Sequence, residues 1–182
     1  MKKYLLLLTL LFGFKSLYAQ HISFMGIQLG QSEKIVDRML LQKGFVHPTL
    51  NGNILPTSYK GAFWKYQDSR LYTEVEDGKV TSVQVWPPYE CNKMSDYNSL
   101  VRNLDNKYGR HYNIKYVFTH DNDFTSTDGG ACWLVTGGFI VVYYVYNPGN
   151  RNEIAFRIRY IDKTNKRVIL EKGRKRNTDN DL

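Results

Sequence analysis

The stretch Arg70-Leu71-Tyr72-Thr73-Glu74-Val75-Glu76-Asp77-Gly78-Lys79-Val80-Thr81-Ser82-Val83-Gln84-Val85-Trp86 decides the fold. Before the Asp77-Gly78 pair, Leu71, Thr73 and Val75 alternate with Tyr72, Glu74 and Glu76. After it, Thr81, Val83 and Val85 read as inward and Ser82, Gln84 and Trp86 as outward. Successive side chains of a strand point to opposite faces, so this pattern predicts two half-buried strands. Asp-Gly supplies the positive φ angles of a two-residue hairpin turn. Pro87-Pro88 then stops the second strand, because neither residue has an amide hydrogen for the ladder. An antiparallel sheet with one buried face is the expectation.

Upstream, a helix is predicted over 32–43. Ser32 suits its N-cap, Glu33 the positive end of its dipole and Gly44 its C-terminal stop. Ile35, Val36, Met39 and Leu40 form its apolar stripe. A loop is predicted over 46–58 and a short aromatic strand over 61–66. Downstream of the Pro-Pro break a second helix is predicted over 95–108. Ser95 reads as its cap, Asp96 sits in its first turn and Gly109 ends it, with Tyr97, Leu100, Val101, Leu104 and Tyr108 as its stripe. Strands are then predicted over 112–118, 131–136, 139–146 and 152–161. A polar loop at 119–130 and turns at Gly137-Gly138 and Asn147-Pro148-Gly149-Asn150 separate them. In the last strand Ile154, Phe156, Ile158 and Tyr160 share one side, and Arg157 and Arg159 lie on the other. The expected class is α+β: two tandem helix-then-strands units (20–88 and 89–162) forming one antiparallel sheet, with the helices packed on one face.

The ends differ from the middle. Lys2 and Lys3 precede an apolar run from Leu5 to Phe14, and Ala19 offers a cleavage point, so residues 1–19 read as a secretory signal peptide. About ten apolar residues are too few to span a bilayer, which needs roughly 20. Leu17 is bulky for its place before the cleavage point, so an uncleaved anchor is the alternative. The mature chain is expected to begin near Gln20, to have no transmembrane segment and to work in the periplasm or outside the cell. Much of the formal charge of +8 sits in the leader and in a Lys/Arg-rich segment at 163–182, which reads as a disordered tail. The intervening residues are close to neutral, which argues against a nucleic-acid partner. The two cysteines, Cys91 and Cys132, permit one disulfide in an oxidising compartment. The alternative is two thiols, with Cys132 buried as a small hydrophobe.

Gly26-Ile27-Gln28-Leu29-Gly30, Lys43-Gly44-Phe45, Val75-Glu76-Asp77-Gly78-Lys79-Val80 and Asn106-Lys107-Tyr108-Gly109, in this order of helices and strands, resemble the β-lactamase-inhibitor-protein-like architecture. They also resemble its single-unit relatives among small outer-membrane assembly lipoproteins. The resemblance implies tandem units that build one continuous sheet with a concave exposed face. The lipid-bearing cysteine of the lipoproteins is absent, and no inhibitory loop is matched, so no functional residue is carried over.

Candidate chemistry is sparse. His21, His47, His111 and His120 are not paired at ligand spacing, and the two cysteines lack histidine partners for a zinc site, so no cofactor or metal is expected. His120-Asp121-Asn122-Asp123 gathers ligand atoms in a polar loop but lacks the Gly and distal Glu of a calcium-binding loop. No Gly-x-Ser-x-Gly elbow occurs. Glu74 and Glu76 share a strand face, and Cys91 is a lone thiol, so a hydrolase using either is an alternative. The stronger signal is aromatic: 14 Tyr, nine Phe and three Trp. The outward face is expected to carry Tyr72, Glu74, Gln84, Trp86, Tyr144, Tyr146, Arg157 and Arg159. Tyr, Trp and Arg dominate binding hot spots, so the leading expectation is noncatalytic recognition of a protein or peptide. A carbohydrate-binding module, stacking sugars on Trp86 and the tyrosines, is the other binding alternative.

Overall fold

A computed structural model describes residues 20–88, 93–118, 124–147 and 150–166. Residues 1–19, where a signal segment is expected, 89–92 with Cys91, 119–123 with His120, 148–149 and 167–182 lie outside the described residues. The described chain is α+β. Its elements are β1 (Ser23–Phe24), β2 (Ile27–Gln28), α1 (Glu33–Gln42), β3 (Thr49–Leu50), β4 (Asn53–Ile54), β5 (Ser58–Phe63), β6 (Tyr66–Glu76) and β7 (Lys79–Trp86). After these come α2 (Met94–Tyr108), β8 (Tyr112–Phe118), β9 (Phe124–Val135), β10 (Gly138–Asn147) and β11 (Asn150–Asp162). Seven strands form one antiparallel sheet in the order β5-β6-β7-β11-β10-β9-β8. Two meanders, β5–β7 and β8–β11, thus meet through their last strands.

The Asp77-Gly78 hairpin forms as its sequence dictates, with φ of 50° and 73°. Its strands carry a register shift that the alternation did not announce. Val75 pairs with Val80, but Glu74 pairs with Ser82, so Thr81 is an extra residue in β7. The bulge lets Val75 and Val80 both reach the core and still leaves Thr73 and Leu71 opposite Val83 and Val85. The hairpin also holds the start of α1: the Glu33 amide donates to the Gly78 carbonyl (3.2 Å) and the Gly30 amide to the Val80 carbonyl (2.7 Å).

Both helices bury most of their predicted stripes on one face of the sheet, but Ile35, expected in the α1 stripe, is 45% exposed and Met39 is only partly buried. Val36 and Leu40 of α1, and Tyr97, Leu100, Val101 and Leu104 of α2, join one cluster with Leu71, Val83, Val85, Trp133, Ile140, Val142, Phe156 and Ile158. Phe156 is fully buried. A ring of that size contributes about 1.5–3 kcal/mol by leaving water. Phe45, just after α1, lies on Gly61, where any Cβ would come within 2.4 Å of the ring.

Several boundaries depart from expectation. The α2 N-cap is Lys93, not Ser95, which lies inside the first turn; Asp96 there accepts from Lys65 Nζ (2.5 Å). The strand expected over 61–66 ends at Phe63, because Trp64-Lys65 turns the chain into β6. The loop at 46–58 contains the β3–β4 hairpin around Asn51-Gly52, both at positive φ. β9 begins at Phe124, inside the expected 119–130 loop. The β9–β10 turn is Thr136-Gly137, and Gly138 already pairs with Val135 and Asp162. Residues 163–166, expected to open the tail, fold back: buried Asn165 donates through its side chain to Thr81 Oγ1 (3.2 Å). Among the described residues, no helix is long and apolar enough to cross a membrane.

Candidate functional site

On the sheet face turned away from the helices, the strand registers line up two rows of side chains. Tyr72, Gln84, Arg159, Val141 and Cys132 run across β6, β7, β11, β10 and β9 in direct opposition. The adjacent row contains Arg70 opposite Trp86 and Arg157 opposite Tyr143. Glu74 opposite Ser82 flanks the first row on its other side. Six of the eight expected residues, Tyr72, Glu74, Gln84, Trp86, Arg157 and Arg159, therefore share this distal face.

Tyr144 and Tyr146 do not. They lie on the helix side, where Tyr144 meets Tyr97 edge-on (centroids 4.7 Å apart) and Tyr146 at 5.4 Å. The Tyr144 ring also occupies the space that a Cβ at Gly129 would need. The cause is a register shift next to the β10–β11 turn. Counting back from the Asn147–Asn150 pair places Ile154 opposite Tyr143; after the shift Ile154 opposes Tyr146. An odd slip exchanges the two faces of a strand, so Tyr143 and Val141 take the distal face instead. Tyr143, Val141 and Ile161 form a small buried cluster there, with Ile114, Cys132 and Phe139 packed on it. Cys132 is half-buried on β9.

The distal residues fall into two functional kinds. One is internally neutralised. A single Nη of Arg159 donates to both oxygens of Glu74, its Nε donates to Ser82 Oγ (3.1 Å), and Arg159 is only 5% exposed. Losing one member of such a buried pair costs about 3–5 kcal/mol, so this pair builds the face. Gln84 Nε2 likewise donates to the Tyr143 hydroxyl (2.8 Å). Burial pushes that phenol above its usual value, while Arg159 and Arg157 pull it down.

The other kind is uncompensated. The Arg157 guanidinium lies 3.9 Å from the centroid of the Trp86 ring, and Tyr72 tilts against Trp86 at 5.0 Å. Among the described residues Arg157 makes one hydrogen bond, from Nη1 to the carbonyl of Phe156 (3.0 Å), and has no carboxylate partner. Burial depresses its pKa from the usual guanidinium value, against the raising effect of Tyr143 and Tyr72. Trp86 Nε1 is buried and has no acceptor. Stacking a desolvated guanidinium on an indole contributes up to about 2 kcal/mol and fixes the plane of the fork.

The three described histidines, His21, His47 and His111, are placed elsewhere, each on an aspartate. His47 Nε2 bonds Asp37 Oδ1 (2.8 Å), which also accepts from the Tyr59 hydroxyl (3.1 Å). His111 Nδ1 bonds Asp105 (2.9 Å), which accepts Trp133 Nε1 as well (3.0 Å). His21 Nδ1 bonds the fully buried Asp162 at 3.0 Å to each oxygen. Asp162 also takes the amides of Ile22 and Thr164 and the Thr164 hydroxyl, so it ties the start of the described chain to its end. His21 lines a cleft of about 510 Å³ with Gln20, Ser23, Gln28, Tyr108, Leu134 and Thr136. Among the described residues no group of three metal-ligating side chains forms. Sequence separation hid these pairs, whereas Tyr143 was hidden by a strand that is apolar on both sides.

No protein-family model, no curated protein and no solved structure matches this chain.

Proposed function

We propose that this chain is an exported, noncatalytic binding protein that docks a protein or peptide on the β6–β7–β11 part of the distal sheet face. The observation that carries the reading is the Tyr72–Trp86–Arg157 stack: three hot-spot side chains, half-buried and held in fixed planes before any partner arrives. The neutralised Arg159–Glu74 pair and the Gln84–Tyr143 bond support it from below. In this reading 20–88 and 89–162 are tandem units of the β-lactamase-inhibitor-protein-like build, and two meanders joined at their last strands suit that arrangement. A protein partner is favoured over a sugar because one face of the Trp86 ring is already occupied by Arg157, whereas a sugar-stacking platform needs a bare ring. A hydrolase built on Glu74 is disfavoured because both of its oxygens are spent on Arg159.

The test is selection of random displayed peptides on the wild-type protein, with a counter-screen on Trp86→Ala and on Ile35→Ala, an exposed α1 position away from the face. Peptides that lose binding to Trp86→Ala by roughly 30-fold or more (about 2 kcal/mol, the hot-spot threshold) and tolerate Ile35→Ala are expected. Selected peptides indifferent to Trp86→Ala would sink the reading.

A further inference from the structure

The uncompensated groups of the distal face are all of one kind. Arg157 has five N–H donors and uses one of them on the Phe156 carbonyl. Trp86 Nε1–H is buried with no acceptor. The Glu74 carboxylate of the same face is engaged by Arg159. Arg70, opposite Trp86 in the register, adds a second cation at the exposed rim. The buried Trp86 indole N–H without an acceptor is costly in the absence of a ligand, because it has given up its water with no replacement.

The geometry points to a carboxylate-binding subsite at Arg157 and Trp86, taking the carboxylate of a peptide partner between the guanidinium fork and the indole N–H. This assignment rests on the reading of the face as a peptide-docking surface. A carboxylate fits because it is planar, offers acceptors only and matches the fork of an arginine two bonds at a time. The interior of the cluster carries one surplus positive charge, since Arg159 and Glu74 cancel, and one carboxylate neutralises it. The aromatic rings of Tyr72 and Trp86 border the subsite, so a residue with an apolar body beside the carboxylate is the preferred neighbour.

The experiment is an NMR titration of the full mature chain, read at the Trp86 indole N–H and at the Arg157 Nε–H. The probes are acetyl-Phe-Gly with a free C-terminus, its amide, and acetyl-Phe-Glu amide, whose only carboxylate is a side chain. Saturable shifts with either acid and not with the neutral amide are expected; which acid binds tighter identifies a chain terminus or a side chain as the source. Arg157→Gln is expected to weaken the acid roughly ten-fold or more. Trp86→Phe keeps the ring and removes the N–H; read at Arg157, it is expected to weaken the acid and leave the fold unchanged. That second variant answers the question should Arg157→Gln unfold. Equal shifts from acid and amide, or undiminished acid binding in both variants, would overturn the subsite. Tighter binding of inorganic phosphate or galacturonate than of either peptide would overturn the assignment to a peptide carboxylate. Displayed peptides that depend on Trp86 but show no need for an acid would leave the docking face standing while the subsite falls. No peptide at all would remove the docking face itself.

Discussion

At the scale of single residues, the charged and polar side chains act mostly in pairs that neutralise one another. Asp105 is an instance. Burial raises its carboxyl, but hydrogen bonds from His111 and Trp133 outweigh that and hold it below the ordinary carboxylate value. A carboxylate depressed in the folded state stabilises the fold above its unfolded pKa, near 3.8, and the benefit is lost as pH falls through the lower folded value. Asp105→Asn is therefore expected to lose roughly 1 kcal/mol near pH 6. The gap between variant and wild type should close as urea unfolding is repeated from pH 5 down to pH 2.5. A gap that widens in acid would refute this role. The His111–Asp105 contact could not be read locally, because a six-residue separation across a helix end has no periodic signature.

At the scale of elements, two irregular registers decide which side chains meet. The bulge at Thr81 reconciles the two strands of the hairpin: Leu71, Thr73 and Val75 cannot all share a face with Thr81, Val83 and Val85 across a two-residue turn without one extra residue. The shift beside Asn147 was not legible, because Phe139 to Tyr146 is apolar on both sides and fixes no phase. Hence the swap of Tyr144 and Tyr146 for Tyr143. Gly138 pins the β9–β10 turn against β11, where an added Cβ would sit 2.0 Å from the Ile161 carbonyl oxygen. Since that obstacle is backbone, Gly138→Ala should destabilise by about 3 kcal/mol, seen as a lower urea midpoint with an unchanged slope. A variant as stable as wild type would show that the strands can part there at no cost.

At the scale of the molecule, the two meanders share one core. Val83 and Val85 of β7 oppose Tyr160 and Ile158 of β11, and one apolar cluster joins residues of both helices and both meanders. Residues 20–88 expressed alone would leave β7 without its β11 partner and the shared core without α2 and β8–β11. That fragment is expected to remain unfolded by circular dichroism and amide exchange, while residues 20–182 unfold in one transition. A fragment with native-like exchange protection would mean that the first meander is a domain in its own right.

The sequence by itself determined the helix stripes, the Asp77-Gly78 hairpin, most of the strands and the antiparallel α+β class, because each is written in local periodicity and turn chemistry. It also placed Tyr72, Trp86, Arg157 and Arg159 on one face, since clean alternation in β6, β7 and β11 fixes their direction. Only the tertiary structure decided that Arg159 is spent on Glu74 while Arg157 is not, that Tyr143 replaces two expected tyrosines, and that three histidines close on distant aspartates. Those outcomes depend on register and on contacts between residues far apart in the chain, which periodicity along a single strand does not encode.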